Sequence, residues 1–175
     1  MSIAAVVLAA GEASRFGSPK QRLLLPAVLT RLAESPVDEI VVVEGAYELE
    51  LPESSARLVR CGEWTQGPGA SLRCGLAALG RDVEAAVVVL ADGPGLAPAA
   101  VSRVLDVWRD QGGIVAASYG GGRGHPLVLG RADWTDVPDE GLHGRPVTLV
   151  PCDDLGFPGD VDTPDDLPDA FRESS

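Results

Sequence analysis

Positive charge is scarce in this sequence: 14 Lys and Arg face 26 Asp and Glu, a net charge of −12. Sequence-independent binding to nucleic acid needs the opposite balance, because affinity there comes from cations that displace counterions from phosphates. An anionic small molecule would have to be held by local donors and a metal ion, against the field of the whole chain. Histidine is nearly absent, with two in the chain, so a His-built metal cage is excluded and any metal should have oxygen ligands. The three cysteines, Cys61, Cys74 and Cys152, show no C-x-x-C spacing. This predicts neither a disulfide framework nor a zinc site, and suits a reducing cytoplasm. No apolar run approaches the roughly 20 residues that span a bilayer, so no membrane role is expected. No basic residue precedes the first apolar run, and Arg15 and Lys20 follow it. That order is the reverse of a secretory signal, and the run reads as a buried strand.

What is present is an ordinary globular balance, 45% hydrophobic and 23% charged over 175 residues, enough for one domain spanning 1–175 with a real core. Short β-branched runs at 3–9, 39–45, 56–61, 84–92, 112–119 and 147–152 read as strands. Several are apolar at consecutive positions, as in strands covered on both faces. Between them, 27–34, 70–79 and 98–110 carry the i, i+3, i+4 spacing of helices, with Pro98 at a first turn. The alternation predicts an α/β fold: a three-layer, Rossmann-like, mostly parallel sheet with helices on both faces. Ligands of such sheets bind at the carboxyl ends of the strands. Glycine and aspartate collect there, at Gly11, Asp92 and Gly120 to Gly124.

The stretch L-A-A-G-E-A-S-R-F-G-S-P-K, Leu8 to Lys20, follows the first strand. Its small residues let backbone N–H groups approach phosphate oxygens, and Arg15 and Lys20 supply charge to neutralise a triphosphate. Neither the P-loop nor G-x-G-x-x-G is present. An ordinary βα turn with solvated basic residues is the competing reading of this stretch alone.

The same residues resemble L-A-A-G-x-x-x-R-M-G-x-x-K of the nucleotidyltransferases that activate sugars, lipids and cofactors, with Phe16 in place of Met. Within that superfamily the chain looks most like the molybdenum cofactor cytidylyltransferases. Four further segments carry the resemblance. Q-G-P-G-A-S-L-R-C-G-L (66–76) is similar to a segment that lies against the nucleotide base and opens a helix. Gly67 and Gly69 would let main chain pack on a flat ring, and Ser71 would offer a hydroxyl or cap the helix. V-V-L-A-D-G-P-G-L (88–96) resembles L-x-D-x-P-x-L and makes Asp92 a candidate Mg²⁺ ligand, although turns also favour D-G-P. G-D-V-D-T-P-D-D-L (159–167) resembles D-x-D-T-P-E-D-L. It offers Asp160 or Asp162 as a second carboxylate, with preference for Asp160, while Thr163, Pro164 and Asp165 suit a helix start. Y-G-G-G-R-G-H-P-L-V-L (119–129) and D-E-G-L-H-G (139–144) resemble the acceptor-side segments and single out His125.

The resemblance implies Mg²⁺-dependent transfer of CMP from CTP to a molybdopterin-type phosphate, with release of pyrophosphate. Leu8, Ala9, Ala10, Gly11, Arg15, Lys20, Gly69, Ser71 and His125 would contact nucleotide or acceptor, with Arg15, Lys20 and Asp92 catalytic. Relatives that use guanine nucleotides usually read L-A-G-G, so Ala10 favours cytidine. The implied partners are a nucleoside triphosphate, the phosphorylated acceptor and a molybdenum-dependent oxidoreductase. Alternatives are another phosphorylated acceptor, with CTP or GTP, and a non-catalytic cofactor-delivery protein. The sequence departs from the family in three places, one of them Gly93, which replaces a bulkier residue between Asp92 and Pro94. Pro26 runs straight into AVLTRL, where the family has a glycine turn and G-x-P-L-L. The Arg of G-D-x-G-A-R has no counterpart at His143 or Gly144, so its acceptor-phosphate contact is either lost or moved to Arg145.

Overall fold

The computed structural model describes residues 2–11, 20–51 and 56–159, with Lys20 and Gln21 as helix backbone. In chain order the strands are β1 (Ser2–Ala9), β2 (Glu39–Glu44), β3 (Ala56–Arg60), β4 (Val83–Leu90), β5 (Ile114–Tyr119), β6 (Gly122–Gly130) and β7 (Thr148–Pro151). The helices are α1 (Lys20–Ala33), α2 (Pro68–Ala77) and α3 (Pro98–Gln111). All seven strands form one sheet in the order β3-β2-β1-β4-β6-β5-β7. Every pairing is parallel except those of β6, which runs antiparallel to β4 and to β5.

The runs of consecutive apolar residues are explained by two cores. Ile3, Ala5, Val7 and Ala9 of β1 pack with Leu25, Val28 and Leu32 of α1 and Val101, Val104 and Leu105 of α3. Val6 and Ala10 point the other way, onto Leu72 and Leu76 of α2. Alternation along one strand therefore feeds both faces, and neither face can be polar. Gly75 brings α2 close to the sheet, since a Cβ there would meet Val6 Cγ1 at 2.5 Å and Val43 Cγ2 at 2.9 Å.

Three expectations need correction. α1 begins at Lys20, not Ala27, and continues through Pro26. Its apolar stripe, Leu24, Leu25, Val28, Leu29 and Leu32, crosses the proline, so burial outweighs the one helical hydrogen bond that Pro26 cannot donate. Among the described residues, no turn follows Pro26 where the family has its glycine turn and G-x-P-L-L segment. The second correction is β6, a strand that the expected runs did not include. The β5–β6 register shifts between Ala116 and Ser118, and Pro126, lacking a donor, sits in that break in the ladder. Third, Cys61 and Cys74 form a disulfide, with Cα atoms 5.8 Å apart. The 13-residue separation hid a pair that the fold brings together at the end of β3 and on α2. Cys152 is free and buried.

Candidate active site

The carboxyl ends of β1 and β4 open into a cleft of about 360 Å³ lined by Leu8, Ala9, Ala10, Gly11, Ser71 and Asp92, with Trp64, Thr65, Gly67 and Pro68 as a further wall. β1 and β4 are neighbours in register, Leu8 beside Leu90, so Gly11 and Asp92, just beyond their ends, lie at the same edge of the sheet. Asp92 follows the strand in a tight turn, and its Oδ1 is buried. Ala10 is buried, and its carbonyl accepts from Ala46 N–H at 3.0 Å, which fixes the end of β1 to the loop after β2.

α2 starts at Pro68, with Gly67 as its N-cap. Ser71 thus sits inside the first turns and is 5% exposed; it lines the cleft and does not cap the helix. Gly67 has φ +134°, a conformation that a side chain resists, and a Cβ there would strike the Asp139 carbonyl. A Cβ on Gly69 would likewise run into the Pro138 carbonyl, and Gly69 N–H donates to Asp139 O at 2.8 Å. Gly69 is small because the 138–139 backbone passes against it, and it is not among the cleft-lining residues. The structure thus gives Gly69 a packing role against that backbone. Arg73 reinforces the same contact, donating to Val137 O at 2.7 Å and to Asp139 Oδ1 at 2.6 Å.

A second region adjoins the first across Leu90. One cavity of about 250 Å³ is lined by Gly93, Leu96, Arg123, His125 and Phe157. Another, of about 320 Å³, is lined by Leu8, Leu72, Leu127, Leu142, Arg123, His125, Glu140 and His143. His125 lies in the break of the β6 ladder, and its carbonyl accepts from Tyr119 O–H at 3.0 Å. A Cβ on Gly124 would stand 2.9 Å from Tyr119 Cδ2, so glycine there admits the Tyr119 ring. That ring packs edge-on against Phe157, with centroids 5.3 Å apart. Burial first, then the nearby Cys152 and Asp153, pushes the Tyr119 phenol up to about 12, which keeps it a neutral hydrogen-bond donor.

Arg123 lines both cavities and donates to Leu142 O at 3.0 Å. Burial holds its guanidinium below its ordinary value. Sequence reasoning passed over Arg123 in favour of Arg145. Arg145, however, donates to the carbonyls of Asp133, Thr135 and Asp136, each at 2.8 Å. It pins the turn at 133–136. Trp64 was also missed; its only signal was an aromatic residue two positions before the glycine segment.

Of the expected site residues, Leu8, Ala9, Ala10, Gly11, Ser71 and Asp92 are brought to one cleft, and His125 to the adjoining cavities. Arg15, Asp160 and Asp162 lie outside the described residues, as does the Lys20 side chain. Among the described residues no group of three His, Cys, Asp or Glu side chains is placed to hold a metal. Asp92 alone, a carboxylate at a polar turn beside the cleft, has the oxygen-donor chemistry that a hard divalent cation takes.

A family model described as "MobA-like NTP transferase domain" matches residues 5–145. The chain belongs to this family. The match takes in every residue lining the first cleft, and Arg123, His125 and His143 of the adjoining cavities, but not Phe157. Rv0371c from Mycobacterium tuberculosis H37Rv is 31% identical, with 94% of this chain and 95% of that one covered and a TM-score of 0.79. A structure of Rv0371C in complex with manganese, from the same organism, aligns at 30% identity over 95% and 96% of the two chains, TM-score 0.74. A nucleotidyl transferase from Methanothermobacter thermautotroptrophicus shares the fold at 21% identity, covering 99% of each chain, TM-score 0.75. No curated protein matches the chain. Membership of this family makes the chain a nucleotidyltransferase of the MobA-like type.

Proposed function

We propose that the chain transfers CMP from CTP to a molybdopterin-type phosphate. The observation that supports this most is the junction of two unlike cavities at Leu90: a small-residue cleft ending at Gly11 and Asp92, and an apolar pair of cavities carrying Arg123, His125 and His143. In this reading Ala9 and Ser71 face the base, and Gly11, Arg15 and Lys20 hold the triphosphate. An acceptor phosphate oxygen, positioned beside His125 and Arg123, forms a bond to the α-phosphorus while the bond to the β-phosphate breaks and pyrophosphate leaves. Such transfer is mostly positioning and charge neutralisation. Asp92, with Asp160 or Asp162, would hold a divalent ion, Mg²⁺ in the cell. The manganese complex of Rv0371C, 30% identical, supports the use of such an ion. When bound, it offsets the negative charge of the phosphates. A cytoplasmic setting and a transient molybdenum-dependent oxidoreductase as recipient belong to the same reading.

The test is incubation of the purified protein with each nucleoside triphosphate, Mg²⁺ or Mn²⁺, and candidate acceptors, with pyrophosphate as readout. Release with CTP and molybdopterin is the expected result. Release only with a sugar phosphate refutes the acceptor, and release only with GTP refutes the base. Saturable binding of the finished cofactor without turnover turns the reading to a delivery protein.

A further inference from the structure

We infer that Trp64 is the nucleobase platform of this site, a positioning residue stacked on the base; the inference rests on the nucleotide reading of the first cleft. Trp64 lines that cleft as its one aromatic side chain among the described residues, beside the small residues Ala9, Ala10, Gly67 and Ser71. Its place is built from three sides. Gly45, just past β2, leaves room for it, since a Cβ there would come within 2.7 Å of Trp64 Cβ and Cγ and 2.9 Å of Ala10 Cβ. Trp64 O accepts from Gly67 N–H at 3.3 Å, which ties it to the N-cap of α2. The Cys61–Cys74 disulfide closes the segment that contains it. The side chain is half-buried against the core beneath α2, and an aromatic ring held in this way loses little freedom when a flat ligand lands on it. Every base has a π-face, so such a platform supplies affinity and orientation, while discrimination between bases falls to Ser71 and the neighbouring backbone.

Base stacking on an aromatic side chain is lost on truncation to alanine, at a cost of roughly tenfold or more in affinity. Calorimetric titration should therefore show CTP binding about tenfold or more weaker in Trp64→Ala. Trp64→Phe should stay within about threefold of wild type, because a ring remains. Inorganic tripolyphosphate, which has no base, should bind wild type and Trp64→Ala alike. With Trp108 and Trp134 replaced by Phe, CTP but not tripolyphosphate should quench the remaining indole fluorescence. Equal CTP affinity in wild type and Trp64→Ala overturns the role of Trp64. So does a parallel loss of tripolyphosphate binding, which would mean that the loop, and not the ring, is what matters. A wild-type protein that binds tripolyphosphate but no nucleoside triphosphate overturns the nucleotide reading itself, a result distinct from either.

Discussion

The two halves of the site are built by different means. The wall around Gly11, Ser71 and Asp92 hangs on β1, α2 and β4, whose positions are dictated by buried Val, Ala and Leu on both faces of the sheet. The wall around Arg123, His125 and His143 is made of irregular backbone: a broken β6 ladder, a turn at 138–143, and glycines at positive φ such as Gly120 and Gly121. Gly67 and Gly69 stand where chains nearly touch, whereas Gly120 and Gly121 face open space and supply backbone conformation. Regular packing fixes the first wall to the core, whereas the second reaches the core through Leu127, Val137 and Leu142 but carries its polar residues on irregular backbone. In the function proposed above, the first wall would hold the nucleotide and the second the acceptor.

The largest effect that can break this comparison is at Asp92. Asp92→Asn keeps the shape of the turn and removes the charge that would face a cation. Pyrophosphate release should fall about a thousandfold, on the several kcal/mol that a bound ion supplies, with an unchanged melting temperature. Activity largely intact would remove Asp92 from the chemistry.

The two kinds of glycine come next. Gly69→Ala forces a methyl against the Pro138 carbonyl and should destabilise by about 3 kcal/mol, the upper end for overpacking. Gly120→Ala, at φ +59° with nothing within 4 Å, should cost about 1 kcal/mol, the price of a left-handed non-glycine residue. Chemical denaturation of both variants checks the order, and equal losses would mean that the two walls are equally rigid.

The same contrast governs what was legible in the sequence. The consecutive apolar runs of β1, β4 and β5 marked a sheet covered on both faces, and α3 was legible from its spacing and from Pro98. Leu8 to Gly11, Ser71 and Asp92 were legible because they sit next to those regular elements. The rest was hidden where two local signals conflicted. Pro126 argued against a strand that survives because its ladder is already broken. Pro26 argued against a helix that its buried stripe sustains. Trp64, Arg123 and the Cys61–Cys74 pair depend on long-range neighbours, Gly45, Leu142 and each other, which no short window contains.

The disulfide sharpens the comparison because it staples only the nucleotide wall. Cys74→Ser should lower stability by about 3 kcal/mol, the entropic value for a closed loop of this size, and weaken CTP binding. The apparent KM for the acceptor should not move. If reductant reproduces the stability loss in wild type but not in Cys74→Ser, the staple is the cause.

The acceptor side has its own smaller handle. Arg123→Met keeps the stem and removes the cation, so the acceptor KM should rise about tenfold, as for loss of a charge-assisted hydrogen bond, while CTP affinity stays put. A shift in both would merge the two cavities into one functional unit.

The smallest effect lies at the far edge of the acceptor wall, where Arg103 donates to Asp154 Oδ1 at 2.7 Å and Oδ2 at 3.0 Å and to Pro151 O at 3.0 Å. Arg103 first, then a backbone hydrogen bond, holds the Asp154 carboxyl below its ordinary 3.8. A depressed folded-state value means that this stabilisation is complete above about pH 4 and fades as the pH falls through the lowered value. Both groups are open to solvent, so screening keeps the effect slight. Melting curves of Asp154→Asn should fall just below wild type from pH 5 upward and converge on it only once the pH drops below the lowered value. The turn at 153–155 also receives Gly120 N–H on Asp153 Oδ1, so a loosened Arg103–Asp154 pair should be felt first at Gly120 and last at Gly11. A uniform rise in amide exchange across both positions would show that the acceptor wall is as firmly tied to the core as the nucleotide wall.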